Sequence, residues 1–175
     1  MQQLVNLLFI TSIILFAGCS HQPIVIESTK TQVELRAMQS KEVDSTDTLR
    51  ITKAVLQLLQ DDNFEINNLD SNVGYLKASK KLDGGKEKYE FAWYDIYYPI
   101  AIYKYLTLGE YVKEISTTIS IRNFENISVV RASFIMEVKN EDNELVSRAV
   151  IEDPKFYQTF FGKLDKALFL EQNKI

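Results

Sequence analysis

Hydrophobic and polar residues alternate along two stretches in the second half of the chain, over residues 111–122 and 128–138. The positions that share the more apolar side are Ile115, Thr117, Ile119, Ile121, Val130, Ala132, Phe134, Met136 and Val138. A period of two with one polar side is typical of antiparallel strands that cover a core on one face. The polar residues 139–144 then predict a hairpin turn into a third strand over 145–151.

Two other stretches repeat their apolar residues every three or four positions, as amphipathic helices do. The first repeats Ile51, Ala54, Val55, Leu58 and Leu59. Residues 44–46 predict its N-cap, with Asp47 at the positive end of the helix, and residues 61–63 predict its end. The second opens at Asp153-Pro154, a cap followed by a residue suited to the first helical position. Its predicted buried stripe is Tyr157, Phe160, Phe161, Leu164 and Leu168.

Shorter patterns predict the remaining strands. Residues 33–38 alternate weakly, and a strand beginning at Phe64 turns at residues 70–72 and returns over 73–80. Residues 81–88, which include Gly84-Gly85, predict a flexible polar loop. The predicted fold class is α+β: an antiparallel sheet of about five strands with two main helices packed on one face.

The first eighteen residues contain no Lys, Arg, Asp or Glu, and their apolar run extends from Leu4 to Ala17. Fourteen helical residues rise about 21 Å, which is short of the roughly 30 Å hydrocarbon core of a bilayer. The run therefore predicts a secretory signal peptide. It ends Leu-Phe-Ala-Gly-Cys-Ser at residues 15–20, which resembles a bacterial lipobox, and this resemblance implies that Cys19 receives diacylglycerol. The alternative is an uncleaved N-terminal anchor with Cys19 an incidental small residue.

These features divide the chain into three predicted parts: a signal peptide over 1–18, a lipidated cysteine and tether over 19–32, and a single α+β domain over 33–175. Two or more acyl chains, such as palmitate, anchor a protein stably to a membrane, whereas a single acyl chain binds the membrane only marginally. Ser20 follows the cysteine where an Asp often signals retention at the inner membrane. By resemblance to enterobacterial lipoproteins, this favours the outer membrane, with the domain facing the periplasm.

Composition excludes several classes of function. The net charge is −4, whereas a nucleic-acid-binding protein usually shows a basic face. One cysteine and one histidine cannot supply a disulfide, a CxxC pair or a typical zinc site. Because the histidine, His21, lies in the predicted tether, it is badly placed to act as a catalytic base. The sequence therefore predicts a protein with no enzymatic activity, no cofactor and no metal.

Residues 89–111 hold nine of the chain's twenty aromatic residues (ten Phe, nine Tyr and one Trp). Tyr and Trp have an apolar body and a polar tip, which suits protein interfaces and membrane surfaces. The predicted contacts with a partner or membrane are Trp93, Tyr94, Tyr97, Tyr98, Tyr103 and Tyr105. Two alternatives remain open: the segment forms ordinary sheet with hydroxyls at its rim, or it walls a pocket for an apolar ligand.

Several short patches resemble a family of uncharacterised bacterial envelope lipoproteins. They are Arg36-Ala37-Met38-Gln39, Leu59-Gln60-Asp61-Asp62-Asn63-Phe64, Gly74 through Lys80, and Tyr157-Gln158-Thr159-Phe160-Phe161. In that family the first patch is an entry strand, and a Leu-Gly pair stands where this chain has Asp62-Asn63. The resemblance implies a lipid-anchored envelope role without enzymatic activity, and it implies no specific biochemical function.

Taken together, the sequence predicts a lipid-anchored envelope lipoprotein that binds a protein partner in an envelope assembly. The alternative is a carrier or sensor of a hydrophobic ligand or lipid.

Overall fold

The computed structural model of the chain describes residues 23–82, 112–140 and 142–173. Within these ranges it is an α+β fold with seven strands and three helices. In chain order they are β1 (Ile24–Ile26), α1 (Gln32–Met38), β2 (Ser40–Val43), α2 (Thr48–Asp61), β3 (Glu65–Asp70), β4 (Tyr75–Leu82), β5 (Val112–Phe124), β6 (Ile127–Lys139), β7 (Leu145–Val150) and α3 (Pro154–Asn173).

All the described strands join one sheet in the order β1-β7-β6-β5-β4-β3, with β2 also paired to β6. The prediction of a purely antiparallel sheet is wrong in one respect, because β1 pairs with β7 in parallel. The predicted number of about five strands is also too low, because the sequence does not predict β1 or β2. β1 and β2 are three and four residues long, too short to show a period, and their partners lie far along the chain.

The two long strands bury the side that the alternation predicts. Ile115, Thr117 and Ile119 of β5 and Val130, Ala132 and Phe134 of β6 are all buried. The strands pair antiparallel along their whole length, from Val112 opposite Lys139 to Phe124 opposite Ile127. Helices α2 and α3 pack on this buried face and form one core with it. The opposite face carries the half-buried Ser, Thr and charged residues of the same strands.

The buried face of α2 agrees with its predicted apolar stripe, but the cap lies one residue later than the predicted 44–46. The Asp47 carboxylate accepts a hydrogen bond from the Arg50 amide at 3.0 Å. At the other end, the Phe64 amide donates to the Leu59 carbonyl and Asn63 has a φ of 60°. This is a Schellman ending, in which a residue in the left-handed region is usually Gly and sometimes Asn. Asn63 therefore takes the left-handed conformation that most often requires Gly at a helix end.

Residues 32–38 form a helix, so the predicted strand over 33–38 is wrong. The Thr31 hydroxyl accepts from the Glu34 amide while the Glu34 carboxylate accepts from the Thr31 amide, which is a capping box. These hydrogen bonds satisfy the first amides of α1 and hold the pKa of Glu34 below its usual value. Leu35 is the buried residue of this short helix. Residues 33–38 also fit a weak alternation, but the Thr-x-x-Glu capping signature indicates a helix.

Ordered structure begins before residue 33. Ile24–Ile26 lie in the sheet, and the hydroxyls of Ser28 and Thr29 both hydrogen-bond to the Glu152 carboxylate that follows β7. Part of the predicted tether therefore packs with the last strand.

Helix α3 begins as predicted, with the Asp153 carboxylate accepting from the Lys155 amide at 2.9 Å. Tyr157, Phe160, Phe161 and Leu164 are buried as predicted, together with Ala167. Leu168 is only partly buried. Edge-to-face contacts join Phe134 of the sheet to Phe156, Tyr157 and Phe160 of the helix, at centroid distances of 4.7, 5.9 and 5.0 Å. These aromatic pairs fix α3 on the sheet.

Candidate functional site

The outer edge of β6 is shared between two short strands. β2 pairs with residues 128–131 and β7 with residues 135–139, so the ladder is interrupted between them. Backbone groups just beyond the two strands cover part of this gap. The Ala132 amide donates to the Gln39 carbonyl at 2.8 Å, and the Ile151 amide donates to the Phe134 carbonyl at 2.9 Å.

The Tyr157 hydroxyl fills the rest of the gap. It donates to the Ile151 carbonyl at 2.9 Å and accepts from the Gln39 side-chain amide at 3.4 Å. Burial raises the pKa of this hydroxyl above its ordinary value, and the Gln39 hydrogen bond opposes part of that rise. Since the side chain is 1% exposed, Tyr157 is a fixed link between α3 and the two segments that flank the gap, at Gln39 and Ile151.

Gln39 extends the network toward the opposite face of the sheet. Its side-chain oxygen accepts from the Arg131 guanidinium at 3.1 Å, and Arg131 alternates with the buried Val130 and Ala132. The buried Gln39 amide therefore connects a core tyrosine to an arginine on the polar face.

Above this network lies a groove of about 450 Å³ between α1–β2 and α3. It is lined by Ala37, Met38, Ser40, Lys41, Pro154, Tyr157, Gln158, Phe161, Gly162 and Asp165. An ion pair between Lys41 and Asp165, at 2.9 Å, connects its two sides. Half of the lining residues are exposed, so the groove is a surface feature with an apolar floor and charged borders.

Gly162 keeps part of the groove open. A Cβ added there would meet nothing within 4 Å outside its own helix. A larger side chain at this position would therefore enter the groove without displacing the core.

A second, smaller cleft of about 40 Å³ lies where Phe64, Phe134, Phe156 and Phe160 meet Asp62 and Lys163. It is partly open to solvent, and the aromatic side chains fill most of the space between α3 and the sheet there.

The predicted site residues lie outside the described residues. These are Cys19 and the aromatic residues Trp93, Tyr94, Tyr97, Tyr98, Tyr103 and Tyr105. The polar loop predicted over 81–88 lies in the structure only as far as Leu82, where residues 81 and 82 belong to β4.

The groove is not among the sites that the sequence predicts. Its residues come from two segments more than a hundred positions apart, and no local motif joins them. One signal was present: Gln39 belongs to the Arg-x-x-Gln patch and Tyr157 to the Tyr-Gln-x-Phe-Phe patch, and these two side chains are in contact. The patches therefore mark a structural junction, with Arg36-to-Gln39 ending a helix and not forming the expected entry strand.

Among the described residues, no helix has the length and apolar character needed to cross a membrane. In the same ranges, no three His, Cys, Asp or Glu side chains are grouped closely enough to hold a metal ion.

No protein-family profile matches the chain, and no curated protein is similar to it in sequence. One solved structure to which it is similar is a TBP-like protein from Parabacteroides distasonis ATCC 8503. The match has 14% identity and a TM-score of 0.34, and it covers 74% of this chain and 90% of the other. These values are too low for a function to be transferred.

Proposed function

We propose that this chain is a lipid-anchored bacterial envelope protein, without enzymatic activity, cofactor or metal, that binds a protein partner through the groove between α1–β2 and α3. In this proposal Cys19 carries the lipid, and the domain faces the periplasm from the outer membrane. The observation that supports partner binding is the groove itself.

The groove has the chemistry of a protein-binding surface. Small-molecule sites enclose most of their ligand within apolar walls, whereas this groove is shallow enough that half of its lining is exposed. Its apolar floor includes Phe161, and its borders carry one charge of each sign, Lys41 and Asp165. An apolar centre with a polar rim is the usual anatomy of a protein interface.

The alternative, a carrier of a hydrophobic ligand, receives less support. A carrier needs an enclosed apolar space, and among the described residues neither the open groove nor the small cleft near Phe134 is enclosed. Native mass spectrometry of the domain would test it directly, because a carrier retains a co-purifying lipid.

The aromatic residues Trp93, Tyr97 and Tyr98 remain a second proposed contact, on the evidence of their side-chain chemistry alone. Their contribution and that of the groove are separable by substitution.

The experiment compares two leucine substitutions on the same helix in the detergent-solubilised, full-length protein. Gly162→Leu fills the groove, while Gln172→Leu changes an exposed position of α3 that does not line it. Stoichiometric recovery of the partner should be lost with Gly162→Leu and kept with Gln172→Leu, with unchanged circular dichroism for both. Equal recovery of the partner by both variants would contradict partner binding at the groove. The triple variant Trp93→Ser, Tyr97→Ser and Tyr98→Ser would then test the aromatic contact.

Lipidation is tested separately. Replacing Cys19 by Ser should block processing and change the gel mobility of the protein. An unchanged membrane fraction and unchanged mobility would support the uncleaved anchor.

A further inference from the structure

We propose that one particular end of the sheet faces the lipid bilayer: the end formed by Leu82, Val112, Lys139 and Leu145. This orientation rests on the proposed lipidation of Cys19 and adds to it which surface of the domain lies against the membrane.

Strand register places these four residues in one row. Leu82 pairs with Lys113, Val112 with Lys139, and Lys139 with Leu145. The opposite ends of the same strands carry the β3–β4 turn and the β5–β6 turn, where Val73 and Phe124 are exposed. The domain therefore has two distinct ends, separated by the length of β5, twelve residue steps or about 40 Å.

The parallel pairing of β1 decides toward which end the N-terminal chain runs. Ile24 lies opposite Ser147, and β1 and β7 point the same way. Followed backward from Ile26 to Ile24, the described chain therefore runs toward Leu145 and the β6–β7 hairpin. An antiparallel β1 would have sent it toward the other end.

The chain from Cys19 to Ile24 is short. Five residues reach at most about 18 Å, even when fully extended. The headgroup layer on each side of a bilayer is roughly 5–8 Å thick, so at most on the order of 10 Å remains between the headgroups and β1. A lipid held at Cys19 thus keeps this edge of the sheet beside the membrane.

The surface near this tether suits a bilayer interface. Ile24, Val25 and Val112 are 49%, 64% and 40% exposed, and they are apolar. The charges of Lys139 and Arg148 are neutralised by Glu114 and Glu137. Contact with the interface would cover these apolar side chains, and the ion pairs of Lys139 and Arg148 lower the cost of bringing those two cations to it.

The test uses lipidated, full-length protein in vesicles of phosphatidylethanolamine and phosphatidylglycerol. Because Cys19 is the only cysteine and carries the lipid, each added cysteine is a unique position for an environment-sensitive fluorophore. Val25→Cys and Val112→Cys report on the proposed end, and Val73→Cys and Phe124→Cys are the matched exposed controls on the other. Quenching by lipids spin-labelled near the headgroup should be several-fold stronger for the first pair. Equal quenching at both ends, or stronger quenching at Phe124→Cys, would overturn the orientation.

Two further measurements separate the causes of failure. Intact mass shows whether Cys19 carries diacylglycerol: an unmodified Cys19 overturns lipidation and orientation together, whereas a lipidated protein with the wrong quenching pattern overturns the orientation alone. Inserting about ten Gly and Ser residues before Pro23 lengthens the flexible tether. It should weaken quenching at Val25→Cys, and unchanged quenching would show that tether length does not position the domain.

Discussion

A single hydroxyl, that of Tyr157, completes the hydrogen bonding of the sheet where two strands meet end to end on β6. Its ring occupies a predicted place in the apolar stripe of α3. Its hydroxyl donates to the Ile151 carbonyl and accepts from the Gln39 side-chain amide, which lie in two other segments of the chain. The aromatic body and the polar tip therefore have separate roles, and substitutions can separate them.

Tyr157→Phe should lower the free energy of unfolding by about 1–3 kcal/mol, because the buried Ile151 carbonyl and Gln39 side-chain amide lose their partner while the ring contacts remain. The measurement is urea denaturation monitored by circular dichroism. Tyr75→Phe on the half-buried polar face of β4 is the control, and we expect it to stay within about 0.5 kcal/mol of wild type. An equal effect of both substitutions would remove the special role of the Tyr157 hydroxyl.

The Glu114–Lys139 pair predicts a dependence of stability on acid. The Lys139 hydrogen bond holds the pKa of Glu114 below its ordinary value of 4.5. The unfolded chain therefore binds a proton more readily, so this group stabilises the fold above pH 4.5 and the contribution is lost as the pH falls through the lower, folded pKa.

In Glu114→Gln this contribution should be absent, so the stability difference between wild type and variant should be largest at neutral pH and shrink in acid. Urea unfolding at neutral pH and near pH 3 gives the comparison. A double-mutant cycle with Lys139→Met assigns the effect to the pair. A difference that is the same at both pH values would contradict it.

At the scale of elements, the long periodic segments and the short strands β3, β4 and β7 were predictable, whereas β1, α1 and β2 were not. Strands β5 and β6 and helices α2 and α3 repeat their pattern over 13 to 20 residues, and their buried faces follow from it. Helix α1 has seven residues and one buried side chain, so its period carries little information and its capping box is the better guide. The ending of α2 was placed correctly, but the left-handed conformation of Asn63 needs backbone geometry to be seen.

Two glycines should respond to alanine with opposite signs. Gly74 in the β3–β4 turn has a φ of 63°, and a Cβ there would lie 2.7 Å from the Ile121 carbonyl oxygen. We expect Gly74→Ala to cost about 1–3 kcal/mol. Gly162 lies inside α3 beside open space, so Gly162→Ala should gain about 0.5–1 kcal/mol from helix propensity alone. Thermal unfolding gives the melting temperature of each variant relative to wild type, and a change of the same sign in both variants would refute this account.

At the scale of the whole molecule, the N-terminal third completes the sheet that the C-terminal third builds. β1 pairs with β7 and β2 with β6, and α1–β2 forms one side of the groove against α3. No pattern within residues 24–43 predicts these pairings, because pairing between distant short strands depends on the assembled core. The groove was unpredictable for the same reason, although its tyrosine and glutamine were visible as sequence patches.

A chain that starts at residue 33, the predicted domain boundary, should be less stable than one that starts at residue 23. It lacks β1, the Thr31 cap and the hydrogen bonds of Ser28 and Thr29 to Glu152. The cap alone contributes about 1 kcal/mol, so a loss of about 2 kcal/mol or more is expected. Urea midpoints of the two chains measure it, and coincident midpoints would place the boundary at 33 after all.

The parallel pairing of β1 with β7 also determines when the sheet can be completed as the chain emerges. A chain that emerges N-terminus first presents Ile24 long before Ser147, its partner in the register. Closing so large a loop is costly and slow compared with forming the β5–β6 hairpin. The connectivity therefore postpones the closing of the sheet until almost all of the chain has arrived. In the proposed lipoprotein, which would be exported before it folds, this late closure would keep the chain unfolded enough to cross the membrane.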